Sequence, residues 1–367
     1  MFPTILQVLP ALNAGGVERG TLEIAAAITE AGGRALVASA GGRLVPALEA
    51  LGGEHFTLPL ASKAAIWGNA GRLAALARAE GVDIIHARSR APAWSAWRAA
   101  HLTGLPLVTT WHGTYNENFP GKRLYNSVMA RGARVIAISD FIRAHVLARH
   151  PEVLPRLRSI YRGVDPALFD PDTIAPARVA ALRQAWGLRP GQPALLLPAR
   201  LTRWKGQAVL IAALARLPNP PVAVLLGDGR PGYAAELTSL AAARGVPLVL
   251  AGHTADMPAA LQACDIIIHA STEAEAFGRV VIEAQAMRRP VIAADLGGPR
   301  ETITHGQTGW LVPPGDAAAL AESLAMVLAM PPEARDAIGA AARADVLARF
   351  TTAAMQAATL DVYRELR

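Results

Sequence analysis

The stretch Glu275-Ala276-Phe277-Gly278-Arg279-Val280-Val281-Ile282-Glu283 follows the apolar run Ile266–Ala270 and opens a helical pattern that reaches about Met287. A short buried strand passing through a loop into a helix is half of a βαβ unit. The spacing places Glu275 in the loop and Glu283 more than a turn inside the helix. Backbone N–H groups near Phe277, Gly278 and Arg279 then form a helix N-terminus, where phosphate binds readily. Gly278 allows a ligand close to the main chain. Two carboxylates flanking such a site can hold hydroxyls on either side of the phosphate. The alternative is an acidic residue that only favours the helix dipole, with Glu283 in solvent.

The same unit recurs on both sides. Towards the C-terminus, strands are expected at Ala194–Pro198, Val222–Leu226, Leu248–Ala251 and Val291–Ala294, with helices at about Gly206–Arg216 and Ala234–Ala243. Towards the N-terminus they are expected at Thr4–Leu9, Ala35–Ser39, Asp83–His86, Leu107–Thr110 and Val135–Ile138, with helices at Gly16–Ala31, Gly71–Glu80 and Arg90–Leu102. Strands alternating with helices imply parallel sheets. The fold class is therefore α/β: two doubly wound Rossmann-like domains facing across a cleft, with ligands at the carboxyl ends of the strands. Pro166, Pro171 and Pro176 put the linker in Gly163–Pro176, dividing the chain into domains 1–163 and 164–351. Three helical patterns follow Pro314, the last over Thr352–Leu366, and no repeat is visible.

Composition fits this picture. At roughly 100–200 residues per domain, 367 residues suggest two domains. Hydrophobic residues make up 52% and charged residues 18%, enough for a large core and unlike a disordered chain. The single cysteine, Cys264, excludes an intrachain disulfide and multi-cysteine zinc sites. No apolar run reaches ~18 residues and no basic region precedes the apolar start, so neither a membrane span nor a signal peptide is expected. A cytoplasmic protein is the expectation. Net charge is +7, and residues 1–165 carry all of it, with 18 basic against 11 acidic side chains. Within that half, Pro120–Arg162 holds nine basic and two acidic residues. Such a bias suits an anionic partner: phosphates, nucleic acid or an acidic membrane surface. No nucleic-acid module or aromatic-basic interleaving is present, so nucleic acid is not expected.

Further motifs sit at strand ends. Arg200-Leu201-Thr202-Arg203-Trp204-Lys205-Gly206 follows the strand Ala194–Pro198, and Arg200 and Lys205 offer a fork and a point charge to phosphate. Ala14-Gly15-Gly16 follows the first strand, and Gly15 and Gly16 permit close backbone approach or simply make a turn. His112 in Thr110-Trp111-His112-Gly113 can donate to a sugar or phosphate, act as a base, or be structural. Gly227-Asp228-Gly229 and Gly297-Gly298-Pro299-Arg300-Glu301 are ligand loops or turns. The Gly15-Gly16 segment is not a GxGxxG fingerprint, and no P-loop occurs.

Together, Arg200…Lys205-Gly206, Gly227-Asp228-Gly229, Glu275-x-Phe277-Gly278-x₄-Glu283-Ala284, Gly297-Gly298…Glu301 and Gly309-Trp310-Leu311-Val312-Pro313-Pro314-Gly315-Asp316 closely resemble the retaining family-4 glycosyltransferases of the GT-B fold. Arg162-Gly163-Val164-Asp165…Phe169 resembles the family's entry into its second domain. The N-terminal half matches more weakly, through Gly15-Gly16, His112-Gly113 and Ser139. The sequence departs from the pattern at Ala199 and Arg289, where the family usually has glycine.

The resemblance implies a nucleotide-diphosphate sugar, UDP- or GDP-linked, as donor, with no other cofactor and no metal. It implies that Arg200 and Lys205 bind the diphosphate, Glu275 the sugar hydroxyls and Glu283 the ribose. Backbone groups at Phe277 and Gly278 would meet phosphate or sugar, and Arg279, Gly227 and Asp228 would complete the donor site. Gly15 and Gly16 would approach the diphosphate and His112 the donor sugar. Glu275, His112, Arg200 and Lys205 are the residues expected to act in catalysis. The final helix, 352–367, is expected to cross back onto the first domain, which would bind the acceptor. That acceptor is expected to be a glycan or a lipid-linked molecule. The segment Arg200–Gln207 is similar to lipopolysaccharide-core transferases, which suggests lipopolysaccharide or cell-surface polysaccharide synthesis with peripheral contact to anionic membrane. Two rival classes are a sugar-nucleotide epimerase or hydrolase of related fold and a non-catalytic sugar-nucleotide-binding protein. The first needs catalytic acids in the N-terminal half, where no acidic residue has such a setting. The second is expected to have lost Glu275, Arg200 or Lys205, and all three are present.

Overall fold

Parallel pairing organises both halves of the chain. The computed structural model describes residues 2–13, 15–62 and 64–367; Ala14 of the glycine loop lies outside the described residues. The first half runs β1 (Thr4–Val8), α1 (Gly16–Glu30), β2 (Arg34–Ser39), α2 (Val45–Ala50), β3 (Glu54–Thr57), α3 (Ile66–Ala79), β4 (Ile84–Ala87), α4 (Arg90–Thr103), β5 (Leu107–Trp111), α5 (Lys122–Asn126), β6 (Arg134–Ala137), α6 (Asp140–Leu147) and β7 (Leu157–Ser159). The second runs α7 (Pro176–Ala185), β8 (Ala194–Pro198), α8 (Gln207–Leu214), β9 (Val222–Leu226), α9 (Pro231–Ala243), β10 (Leu248–Gly252), α10 (Met257–Gln262), β11 (Ile266–His269), α11 (Arg279–Ala286), β12 (Val291–Ala294), α12 (Pro299–Thr302), β13 (Trp310–Val312), α13 (Ala317–Ala329) and α14 (Pro332–Arg349). A last helix, α15, spans Thr352–Arg364.

The first sheet has the order β3-β2-β1-β4-β5-β6-β7 and the second β10-β9-β8-β11-β12-β13. Each order reverses once, between β1 and β4 and between β8 and β11. Doubly wound sheets bind ligands outside the carboxyl ends of the strands at that reversal. The strands next to it are wholly apolar or nearly so, because helices cover both faces of the sheet. Ala194–Pro198 is buried throughout, as is Val222–Leu226.

Two compact units result: residues up to Arg162 together with Thr352–Arg367, and Gly163–Thr351. Helix α15 therefore packs in the N-terminal unit, where Gln356 Nε2 donates to the Glu23 carbonyl at 2.7 Å and Tyr363 is fully buried. Residues 163–176, read from sequence as a linker, belong to the C-terminal unit. The Val164 N–H donates to the Phe350 carbonyl at 2.9 Å and Phe169 is buried, so the prolines lie in a packed segment. Strands β3, β7 and β13 have no counterpart in the sequence reading. β3 is Glu-His-Phe-Thr, short and half exposed at a sheet edge, with no apolar run to mark it. β7 and β13 have three residues each.

One backbone contact sets the reversal point of the second sheet. Gly206 has φ +76°, and a Cβ there would lie 1.8 Å from the Ala270 carbonyl oxygen. That fit presses the loop after β8 against the end of β11. Beside it, the Thr272 N–H donates to the Trp204 carbonyl at 2.7 Å. Gly206→Ala combines a left-handed conformation with a backbone clash, each unfavourable by about 1–3 kcal/mol. We expect it to destabilise the C-terminal unit by at least about 2 kcal/mol. Denaturant unfolding checks this; a loss under about 0.5 kcal/mol would contradict the close approach.

Candidate functional site

At the reversal between β8 and β11, three donors converge on one oxygen. The carboxylate Oε1 of Glu275 accepts from Lys205 Nζ, from Ser271 Oγ at 2.6 Å and from His269 Nε2 at 2.7 Å. A carboxylate only accepts, so His269 carries its proton on Nε2. The other ring nitrogen, Nδ1, is buried and has no partner within the protein. Main-chain contacts fix the same residue: the Gly298 N–H donates to the Glu275 carbonyl at 2.8 Å, and Gly297 pairs with Glu275 as an isolated bridge. A Cβ at Gly297 would fall 2.4 Å from that carbonyl oxygen, and φ is +69°. The glycine pair read from sequence as a ligand loop or a turn thus braces Glu275.

Electrostatics decide the state of this cluster. Burial pushes the Glu275 carboxyl up, but the charges and hydrogen bonds of His269 and Lys205 outweigh it and hold the group well below the usual carboxylate range. The order of magnitude agrees. A unit charge at about 4 Å contributes about 4 kcal/mol at an effective dielectric of 20, against a few kcal/mol for desolvation. Glu275 is therefore an anion, fixed in place before any ligand arrives.

The neighbouring loops follow the sequence reading. Gly278, at φ +81°, caps α11, and Arg279 begins the helix. Phe277 is buried, its ring edge-on to Phe350 at 5.6 Å, which holds the main chain at the helix start. Glu283 is buried rather than solvated, and Arg279 lies one turn before it at 3.8 Å. Arg200 is exposed, and its carbonyl accepts from Gln207 Nε2 at 2.9 Å, tying it to the first turn of α8. Arg203 points elsewhere and pairs with Glu236 of α9 at 2.8 Å. Gly227 and Asp228 pack on the same loop: the Leu201 N–H donates to the Asp228 carbonyl at 2.9 Å, and Gly229 bridges Leu201. His269 and Ser271 were missed by sequence reasoning. The available signal was a polar residue ending an apolar strand at the reversal point.

Gly15, Gly16 and His112 belong to the N-terminal unit. Gly15 caps α1 and Gly16 opens it. His112 follows β5, and Arg162 Nη2 donates to its Nδ1 at 2.6 Å. Burial, then the charges of Arg162 and Arg88 and the His86 ring, lower its pKa well below the ordinary value, so it is neutral at physiological pH. The basic bias of Pro120–Arg162 is not one free face. Arg134 and Arg158 pair with Glu365 at 2.5 and 2.7 Å, Arg149 with Glu117 at 3.3 Å, and Arg162 is buried. Among the described residues no helix is long and apolar enough to cross a membrane, and no group of three or more His, Cys, Asp or Glu forms a candidate metal site.

Comparison with known proteins accords with this geometry. The family profile for glycosyl transferases group 1 matches residues 179–345, and that for Glycosyltransferase Family 4 matches residues 14–168. A curated relative, D-inositol 3-phosphate glycosyltransferase of Xylanimonas cellulosilytica, is 33% identical over 318 residues, covering 78% of this chain and 73% of that protein. Among solved structures, a glycosyltransferase from Rickettsia africae is 35% identical with a TM-score of 0.90, covering 100% of this chain and 98% of the other. HepE of Anabaena, solved in complex with UDP-glucose, is 27% identical with a TM-score of 0.86, covering 99% of each chain. The chain belongs to the group 1 glycosyltransferases and has their GT-B architecture of two Rossmann-like domains.

Proposed function

We propose that this glycosyltransferase takes a sugar from a nucleotide-diphosphate donor with retention of configuration and without a metal ion. The observation that carries the reading is the cluster of Lys205, His269 and Ser271 on Glu275 at the sheet reversal. Lys205 and Arg200 are assigned to the diphosphate, Glu275 to the sugar hydroxyls and Glu283 to the ribose. Backbone N–H groups at Phe277, Gly278 and Arg279 face phosphate or sugar in this assignment, with Gly227 and Asp228 beside them. From the N-terminal unit, Gly15 and Gly16 are assigned to the diphosphate and His112 to the donor sugar. HepE, solved with UDP and with UDP-glucose, supports a nucleotide sugar as donor.

In this mechanism the acceptor oxygen bonds to the anomeric carbon on the face from which the diphosphate leaves. The bond from that carbon to the phosphate oxygen breaks, and the acceptor's proton passes to the departing phosphate. Negative charge grows on the diphosphate, and fixed cations with a helix N-terminus stabilise it. No side chain is assigned as nucleophile or general base. The acceptor is a glycan or lipid-linked molecule. The segment Arg200–Gln207 leans towards lipopolysaccharide or cell-surface polysaccharide, whereas the curated relative is named for inositol 3-phosphate. Membrane contact would rest on Lys122, Arg123, Arg131 and Arg143, with Lys122 over the exposed ring of Phe119 at 4.9 Å.

A panel of UDP- and GDP-sugars, scored for released nucleoside diphosphate, identifies the donor. With it, Glu275→Ala should abolish transfer while the fold survives. Arg200→Ala and Lys205→Ala should each lower the rate by about 10²-fold or more. Near wild-type turnover in Glu275→Ala would remove that residue from the site. Chelator should leave the rate unchanged, and a strict Mg²⁺ or Mn²⁺ requirement would contradict the metal-free mechanism. For the membrane, we expect sedimentation with anionic liposomes at low salt and release at high salt. Equal behaviour with neutral vesicles would favour a soluble acceptor.

A further inference from the structure

Arg162 lies outside every role assigned above, yet it is among the most constrained side chains of the N-terminal unit. It is 5% exposed and sits where α1 and α15 meet the sheet. Its Nη1 lies 3.9 Å from the Met355 sulfur of α15. A Cβ on Gly20 of α1 would stand 2.3 Å from the same nitrogen. A glycine inside a helix is unfavourable by about 0.5–1 kcal/mol relative to alanine. Here its missing side chain makes the room that the guanidinium occupies.

The other arm of the fork, Nη2, meets His112 Nδ1 at 2.6 Å. A guanidinium has only donors and does not deprotonate in proteins. The ring nitrogen facing it must therefore present a lone pair. The proton of the neutral ring goes to Nε2, which is buried and has no partner within the protein. A buried N–H without an acceptor is unfavourable by about 1–3 kcal/mol. A ligand oxygen would remove that penalty.

We propose that Arg162 is a positioning residue that holds His112 in the Nε2–H tautomer, so that His112 meets a hydroxyl oxygen of the donor sugar as a hydrogen-bond donor. The proposal rests on the placement of His112 at the donor sugar. It also makes His112 a fixed donor rather than a base, because the only lone pair of the neutral ring is engaged by Arg162. The groups around the ring agree with a neutral imidazole. Arg162, Arg88 and His86 all disfavour a further positive charge there, and the Tyr115 hydroxyl, pushed up to about 12 by burial, is uncharged.

The test reads the tautomer directly. In ¹⁵N-labelled full-length protein, long-range ¹H–¹⁵N correlations assigned with His112→Gln should show His112 protonated on Nε2 alone. In Arg162→Met the Nδ1–H form should appear, and the titration of His112 should move up, because a neighbouring cation is gone. With the donor selected by the panel, Arg162→Met should lower kcat by at least about tenfold with KM for the donor little changed. Arg162→Lys keeps a donor facing Nδ1 and should recover most of the loss. Gly20→Ala displaces the guanidinium while leaving both Arg162 and His112 unsubstituted, and should shift the tautomer in the same direction. An Nδ1–H tautomer in the wild type, or an unchanged spectrum in Arg162→Met, would overturn the proposal. Full turnover in His112→Gln would instead remove His112 from the donor site, and with it the functional half of the inference, whatever the spectrum shows.

Discussion

A buried carboxylate needs partners, and the geometry of the C-terminal unit is organised around supplying them to Glu275. Lys205 comes from the loop after β8, His269 from the end of β11 and Ser271 from the loop that follows. None of these would reach one oxygen if the two strands were not adjacent, and they are adjacent because the sheet order reverses there. The glycines serve the same end. Gly206 brings the first loop against the Ala270 carbonyl, and Gly297 brings the loop after β12 against that of Glu275. Remove the close approaches and the charges separate; remove the charges and an anion is left in a poorly solvated place. Packing and electrostatics therefore depend on each other.

The two units handle charge differently. In the C-terminal unit cation and anion are paired, with Lys205 held in place on Glu275. Pre-organisation of that kind avoids reorganisation as charge develops. In the N-terminal unit, Arg88 is buried and donates to the amide oxygen of Gln7 at 2.8 Å rather than to a carboxylate. Its neighbour His86 is held between Tyr363 at 2.6 Å and Thr110 at 2.7 Å, and burial lowers its pKa well below the ordinary value. Tyr363 comes from α15, the helix that follows the C-terminal unit in sequence. The polar core of the N-terminal unit is thus completed by the end of the chain.

Much of this was legible beforehand, for physical reasons. Apolar strands buried on both faces have a compositional signal, so the central strands of both sheets could be read from it. Glu275, Lys205 and Gly278 stood out because charge and glycine at a strand-to-helix junction fit few other purposes. The edge strand β3 was not legible, since its half-exposed residues form no run. His269 was hidden because one polar residue ending an apolar strand has no periodic signature. Its role emerges only when β8 lies alongside. The basic stretch at Pro120–Arg162 shows a different limit of composition. Composition counts charges, whereas Glu365 and Glu117, both outside the segment, pair with three of the nine and offset two of those charges.

The central claim is that Glu275 is held as a fixed anion to grip the transferred sugar while Lys205 grips the diphosphate. Calorimetric titration with a nucleoside diphosphate and with its sugar conjugate separates the two roles. The account predicts that Glu275→Gln binds the free nucleoside diphosphate nearly as the wild type does but loses the added affinity for the conjugate, whereas Lys205→Ala weakens both. Wild-type affinity of Glu275→Gln for the conjugate, or loss of the free nucleoside diphosphate in that variant alone, would contradict it.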